Sequence, residues 1–194
     1  STKGTSLRAQ SHPLLPQYVY LDLETTGLVA ADNDILEIGI VDDNGETLLS
    51  SYVRPETKEE WTEAEGIHHI TQGIVCDAPR LADLLPIVAE AVTNKVVVIY
   101  NAAFDTAFLA GHLASAADVV CCMNRFTTYY GEPDPKRGGL RHKSLTFAAE
   151  HTGYIWTGNA HAAVQDALAT RHVWHFLQHN SLHARWHSKS AIGH

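Results

Sequence analysis

Two acidic side chains stand one residue apart in the apolar segment 18–28, YVYLDLETTGL. Asp22 and Glu24 have the spacing of alternate residues in a strand, which places both side chains on one face. Neighbouring carboxylates repel and raise each other's pKa unless a cation neutralises them, so the pair indicates a divalent metal site. A solvated acidic strand edge is the alternative explanation, and the rest of the chain has to decide between the two.

Three further residues have positions that could complete such a site. Asp105 follows the β-branched segment 96–100 and falls in the first turn of a predicted helix, at the strand end where open α/β sheets bind ligands. His161 and Asp166 are five residues apart, about 140° around a helix, which is a poor spacing for two ligands on one face. We therefore expect His161 in the loop before the last helix and Asp166 in its first turns.

The elements that must position these residues alternate between strands and helices. An antiparallel meander is predicted at 18–24, 34–43 and 47–53, with a hairpin turn at 42–45. Two further strands are predicted at 96–100 and 119–123, the first of them parallel to the opening strand. Helical periodicity predicts helices at 78–93, from 102 through Leu113, at 125–130, at 144–153 and from near His161 to a break at 180–181. The order predicts an α/β protein.

Size and composition narrow the class of protein. The 194 residues suit one domain, for which we expect a loose segment at 1–15, a folded domain at 16–180 and a tail at 181–194. No apolar run approaches the roughly 20 residues of a membrane span. Three cysteines without metal-type spacing favour a reducing compartment, and we expect the cytoplasm. The net charge of −8 argues against coating nucleic acid by bulk electrostatics, but permits action on one strand end.

A long loop at 131–143, GEPDPKRGGLRHK, contains the densest cluster of basic side chains. Its members are Lys136, Arg137, Arg141, His142 and Lys143. A surface loop of mixed charge and a rim that contacts phosphates are both open explanations.

Three short motifs together resemble a known family. They are LDLETTGL with Asp22 and Glu24, NAAFD ending in Asp105, and HAAVQD with His161 and Asp166, and the loop GIHHIT lies between the first two. In order and spacing the chain is similar to 3′-to-5′ exonucleases of the DnaQ-like superfamily, in the branch with a catalytic histidine. The tripeptide VRP at 53–55 looks more like the stand-alone DNA exonucleases of the exonuclease X type. The resemblance implies a ribonuclease H-like core, a central five-stranded mixed sheet flanked by helices.

The resemblance also implies roles for individual residues. Two divalent cations, Mg²⁺ or Mn²⁺, would be held by Asp22, Glu24, Asp105 and Asp166. His161 would take the proton from the attacking water, and nucleoside 5′-monophosphates would leave from the 3′ end. Residues implied to contact the strand are Thr25, Thr26, Gly27, Leu28, His68 and Asn101, with Arg137 and Arg141 on the basic loop.

Several alternatives stay open at this point. DNA is favoured over RNA as substrate, yet an exoribonuclease fits the same carboxylates, because they do not read the 2′ position. A non-catalytic module that binds nucleic-acid ends is a second alternative. A third is a metal site on the C-terminal helix, where histidines recur three or four apart at 172, 175, 179, 183 and 187. The sequence indicates no protein partner, although a polymerase or repair complex stays open.

Overall fold

The computed structural model describes residues 15–190, and describes side chains up to residue 180. The loose segment predicted at 1–15 therefore lies outside the described residues except for Leu15, as do the last four residues of the predicted tail. Within 15–190, every helix is too short or too polar to cross a membrane.

A five-stranded mixed sheet forms the centre of the molecule, with spatial order β3-β2-β1-β4-β5. The strands are β1 (Tyr18–Thr25), β2 (Ile35–Asp42), β3 (Thr47–Tyr52), β4 (Val96–Ile99) and β5 (Asp118–Cys121). The first three pair antiparallel, and β4 lies parallel to both β1 and β5. This is the sheet that the sequence predicted, and β1 lies at its middle.

Helices cover both faces of the sheet. They are α1 (Thr62–His68), α2 (Gln72–Val75), α3 (Leu81–Val92), α4 (Ala102–Leu109), α5 (Cys122–Tyr130), α6 (Leu145–His151) and α7 (Ala163–Ser190), with a 3₁₀ turn at Ala30–Asp32. One apolar core lies between the sheet and α3 and α4. A second core lies between the opposite face and α5, α6 and α7.

The alternation of β1 decides where its carboxylates point. Leu21 and Leu23 are buried in the core that α3 and α4 cover, whereas Tyr20 is buried in the core that α7 covers. Because side chains of a strand alternate between faces, Asp22 and Glu24 lie with Tyr20 on the α7 face. The residues that end β1 therefore face the helix that carries Asp166.

The structure differs from the predicted elements at three ends. Helix α4 ends at Leu109 rather than Leu113, because the backbone of Ala110 is left-handed and caps the helix. Strand β5 ends at Cys121 rather than 123, and α5 begins at once, with the Met123 N–H donating to the Tyr100 carbonyl. The predicted break of the last helix at 180–181 is wrong, since α7 continues to Ser190. The Asn180 side chain donates to the Phe176 carbonyl at 2.8 Å, one turn back, and so stays within the helix instead of ending it.

Candidate active site

The carboxyl end of β1 is open on the side of β4. Pairing between these parallel strands covers residues 18–20 of β1 only, whereas β2 continues opposite, with Gly39 facing Asp22 and Glu37 facing Glu24. Asp105, in the first turn of α4, reaches this unpaired edge and is 4% exposed. The position of Asp105 in the first turn of the helix that follows β4 matches the prediction.

The segment before α7 brings His161 and Asp166 to the same place. Asp166 lies in the first turn of α7 and is buried, while His161 lies in the loop before the helix and is exposed. The backbone of His161 is left-handed, with φ of 66°, and its N–H donates to Asp166 Oδ1 at 3.0 Å. The loop and helix positions predicted for these two residues are confirmed.

Three of the five candidate residues approach one another closely. One ligand atom from each of Glu24, His161 and Asp166 lies within 4.8 Å of the other two. Glu24 comes from β1 and the other two come from the start of α7, so the group forms only in the folded protein. An imidazole beside two carboxylates can exchange a proton or bind a cation.

Burial and mutual repulsion raise the pKa values of the acidic residues. Burial and then the charge of Asp105 raise the pKa of Asp22 well above its usual range. Burial, followed by the charges of Asp166 and Glu37, raises the pKa of Glu24 to about 9. The pKa of Asp105 rises to about 8, chiefly through burial, although the Leu23 N–H acts in the opposite direction. Without a cation, these side chains favour the protonated state.

The oxygen atoms at the centre of the site fit a hard divalent cation. Asp22 Oδ2 and Asp105 Oδ2 are shielded from solvent and have no hydrogen-bond partner among the described residues. A buried oxygen without a hydrogen-bond donor costs about 1–3 kcal/mol of the free energy of unfolding. Two such oxygens would therefore destabilise a site that bound no cation. Oxygen ligands from several carboxylates are the set that Mg²⁺ and Mn²⁺ prefer.

Comparison with known proteins agrees with this geometry. Residues 19–173 match the exonuclease family RNase_T, a range that contains β1, α4 and the start of α7. The chain belongs to the DnaQ-like exonuclease family. This exonuclease is 35% identical over 164 residues to the uncharacterized exonuclease CP81 of Escherichia phage 186, covering 78% of this chain and 83% of the phage protein.

The exonuclease is also similar to part of a larger polymerase and to the solved structure of another exonuclease. It is 34% identical over 166 residues to the PolC-type DNA polymerase III of Clostridium perfringens, a match that covers 82% of this chain but 11% of the polymerase. Its fold resembles exonuclease X in complex with 5′ overhanging duplex DNA, with a TM-score of 0.66, 23% identity, and coverage of 84% of this chain and 92% of that one. The ribonuclease H-like fold is therefore confirmed.

Two hydrogen bonds to residues 33 and 34 fix the loop after β1. The Thr26 hydroxyl donates to Asn33 Oδ1 at 2.9 Å and accepts from the Asp34 N–H at 2.9 Å. Thr25 and Thr26 are buried and Gly27 is half-buried, while the Leu28 side chain is 84% exposed. The loop thus presents an apolar side chain to solvent from a backbone that is held in place.

His68 uses both ring nitrogens inside the exonuclease. Its Nδ1 accepts from the Ile70 N–H at 3.1 Å, so the proton belongs on Nε2, which lies 2.9 Å from the Thr25 carbonyl and donates to it. Burial lowers the pKa of His68, in agreement with a neutral ring. With both nitrogens bonded in this way, the ring of His68 holds the end of β1.

The other residues implied to contact substrate lie on the surface. Asn101 precedes α4 and is exposed, and its carbonyl accepts from the Phe104 and Asp105 N–H groups. Arg137 and Arg141 are exposed on the loop between α5 and α6, where Arg141 pairs with Glu132 at 3.4 Å. That loop is fixed near the end of β4, since the Tyr100 hydroxyl donates to the Lys143 carbonyl at 2.7 Å.

Glu37 was missed in the sequence and lies beside the site. It faces Glu24 across the β1–β2 pair and accepts from the Ala163 N–H. The signal was present, because Glu37 is the one charged residue in the apolar run ILEIGIV. Alternation also places it on the same face as Gly39, where a glycine in a buried strand indicates close approach of another backbone.

The histidines of α7 do not form a free metal-binding face in its described part. His172 Nε2 lies 2.9 Å from the Thr152 carbonyl, and His175 Nε2 lies 2.8 Å from Asp43 Oδ1. These contacts hold α6 and the β2–β3 turn against α7, which is a structural role. The side chains of His183 and His187 lie outside the described residues.

Proposed function

We propose that the exonuclease removes nucleotides from the 3′ end of single-stranded or frayed DNA and releases nucleoside 5′-monophosphates. One observation carries the proposal: four carboxylates from β1, α4 and α7 converge, and two of their oxygen atoms are buried without a donor. Such a site is self-repelling until it binds cations, and divalent cations are what phosphodiester hydrolysis needs.

The four carboxylates would hold two divalent cations, Mg²⁺ or Mn²⁺. Their residues are Asp22, Glu24, Asp105 and Asp166. When bound, the cations would supply charge stabilisation for the phosphoryl group and lower the pKa of the attacking water. The protein would supply their positions, since Asp105 and Asp166 each stand in the first turn of a helix that packs on the sheet.

His161 would take the proton from the attacking water. Its ring is exposed, and one of its nitrogen atoms lies within 4.8 Å of carboxylate oxygens of Glu24 and Asp166. Histidine is the side chain that most often serves as a general base. The hydrogen bond from its backbone to Asp166 fixes the residue close to the carboxylates. General base catalysis of this kind contributes about 10²- to 10⁴-fold.

The loop at 25–28 would receive the terminal nucleotide. The backbone at Thr25, Thr26 and Gly27 would meet the sugar and phosphate, and Leu28 would pack against the base. His68 would act on this contact through Thr25, whose carbonyl it holds. Asn101, Arg137 and Arg141 would contact the strand further from its end, the arginines through phosphates.

The names of two compared proteins support DNA as the substrate. The polymerase relative is by its name a DNA enzyme, and exonuclease X was solved with duplex DNA. An exoribonuclease is the alternative, because the metal-binding carboxylates do not discriminate at the 2′ position. A module that binds ends without cleaving them is less favoured, since all four carboxylates and His161 stand together.

Digestion of matched 5′-labelled single strands of DNA and RNA with Mg²⁺ tests the proposal. We expect a ladder that shortens from the 3′ end on DNA, with nucleoside 5′-monophosphates as products. Asp22→Ala should be inactive, whereas His161→Ala should bind metal and strand normally but lose about 10²- to 10⁴-fold in turnover. Equal turnover of wild type and Asp22→Ala would refute the metal site, and unaltered turnover of His161→Ala would remove it as the base.

The arginines of the basic loop have a separate test. If Arg137 and Arg141 contact phosphates, neutralising both should reduce the salt dependence of strand binding by about 0.7 per lost contact in the slope of log K against log salt. An unchanged slope would leave the loop as a surface feature without contact to the strand.

A further inference from the structure

Glu37 is a carboxylate beside the candidate metal site whose hydrogen bond goes elsewhere. It lies on β2 directly opposite Glu24, and is half-buried. Its Oε1 accepts from the Ala163 N–H at 2.5 Å, which is one of the first N–H groups of α7 and has no partner within the helix. A carboxylate at a helix N-terminus is electrostatically favourable, so this contact accounts for an acidic residue in an apolar strand.

Gly39 lies two residues further along the same face and shapes the same contact. A Cβ placed on Gly39 would lie 2.6 Å from the Val164 nitrogen and 2.7 Å from the Ala163 carbonyl carbon, closer than real Cβ atoms approach. Only glycine therefore lets the start of α7 reach the strand. Together the Glu37 carboxylate and the gap at Gly39 form a seat on β2 for the backbone at 163–164.

His161 precedes this seat by two residues. Its backbone is left-handed, which is uncommon outside glycine, and persists only where surrounding contacts hold it. The contacts come from Asp166 on one side, through the bond from the His161 N–H, and from Glu37 on the other, through Ala163. The exposed imidazole is thus located by its backbone.

We infer that Glu37 is a positioning residue for catalysis: by holding the Ala163 N–H, it sets where His161 stands relative to Glu24 and Asp166. The inference rests on the proposed function of His161. Glu37 is not assigned as a metal ligand, because its Oε1 is bonded to the Ala163 N–H. A misplacement of about 1 Å at a catalytic group can cost about 10²-fold in rate.

Two conservative variants separate reach from charge. Glu37→Gln keeps the length of the side chain and an acceptor oxygen but loses the charge, whereas Glu37→Asp keeps the charge and is one methylene too short. We expect Glu37→Gln to retain wild-type kcat and Glu37→Asp to lose about 10²-fold in kcat. The KM for the DNA strand should be unchanged in both, whereas the thermal midpoint should fall in Glu37→Asp, because the buried Ala163 N–H loses its acceptor.

Wild type and His161→Ala, assayed in parallel, distinguish failure of the inference from failure of the proposed function. If His161→Ala is inactive but Glu37→Asp has wild-type kcat, or Glu37→Gln is as slow as Glu37→Asp, the inference is overturned. If His161→Ala is fully active, the proposed role of His161 has failed first.

Discussion

Carboxylates have opposite environments at the two ends of the β1 face that packs against α7. At Tyr20, the tyrosine hydroxyl and His175 both bond to Asp43 Oδ1, at 2.7 and 2.8 Å, and the Arg171 side chain donates to the Asp43 carbonyl. Two residues along the same face of β1, Asp22 has an oxygen that is buried without a donor. At the Tyr20 end, one carboxylate has two hydrogen-bond partners. At the Asp22 end, several carboxylates lie together and two of their oxygen atoms have no donor.

The pKa values follow this difference. Burial acts to raise the pKa of Asp43, but the hydrogen bonds from His175 and Tyr20 outweigh it and the pKa is lowered. At the other end, burial and repulsion act in the same direction, and the pKa of Asp22 is raised. The first end stabilises the fold by fixing α7 to the β2–β3 turn. The second destabilises the protein in the absence of cations, which is the expected cost of the proposed cation site.

The largest expected effect comes from Asp105→Asn, which should change activity and stability in opposite directions. Loss of one proposed ligand should lower turnover at least about 10²-fold, because even partners of metal ligands contribute about 10- to 100-fold. The metal-free protein should nevertheless become more stable, since the variant removes a repelling buried group. Steady-state assays with Mg²⁺ and denaturant unfolding in EDTA measure the two. A variant that is both inactive and less stable would break the contrast between the two ends.

The next effect is a dependence of stability on pH at the acidic end. The folded protein holds protons on Glu24 and Asp105, with pKa values of about 9 and about 8 against 4.5 and 3.8 ordinarily. The unfolded chain releases them, so the free energy of unfolding in EDTA should fall as pH rises from about 5 to about 9. If Mg²⁺ binds these carboxylates as proposed, it should replace the protons and stabilise the protein more at pH 9 than at pH 5.

Asp105→Asn tests the cause of this pH effect, and Asp43→Asn is its matched control. Removing one of the repelling groups should flatten the fall in stability, whereas Asp43→Asn at the far end should leave it in place. If wild type and Asp105→Asn lose the same free energy of unfolding between the two pH values, other titrating groups cause the effect.

Much of this arrangement was predictable from sequence, and the exceptions share a cause. The meander, the parallel strand before Asp105 and the loop position of His161 followed from local periodicity and turn residues. The positioning roles of Glu37 and His68 could not be predicted, because they depend on hydrogen bonds to Ala163 and to Thr25, which are distant along the chain. A spacing pattern gives the face on which a side chain lies, but not the backbone group that it meets there.

A moderate effect is expected at the well-paired end from Asp43→Ala. The Tyr20 hydroxyl is inaccessible to solvent and would lose its acceptor, which costs about 1–3 kcal/mol of the free energy of unfolding. Turnover with Mg²⁺ should stay at the wild-type value, because the four carboxylates proposed to bind the cations are untouched. Denaturant unfolding and the exonuclease assay on the same preparation test this. A large loss of turnover would mean that the two ends are coupled through α7.

Tyr20→Phe at the same contact should have the smallest effect, although it removes the same hydrogen bond. The variant takes away the buried donor and leaves Asp43, which is half exposed and can bond to water and to His175. An ordinary hydrogen bond contributes about 0.5–1.5 kcal/mol net, and we expect a loss near the lower value, smaller than that of Asp43→Ala. Comparing the two variants by denaturant unfolding therefore measures the cost of a buried group without a partner together with the His175 contact that Asp43→Ala also removes. If Tyr20→Phe lowers the free energy of unfolding as much as Asp43→Ala does, a buried hydroxyl without an acceptor carries no extra penalty. The buried oxygens of Asp22 and Asp105 without donors would then no longer support a cation site.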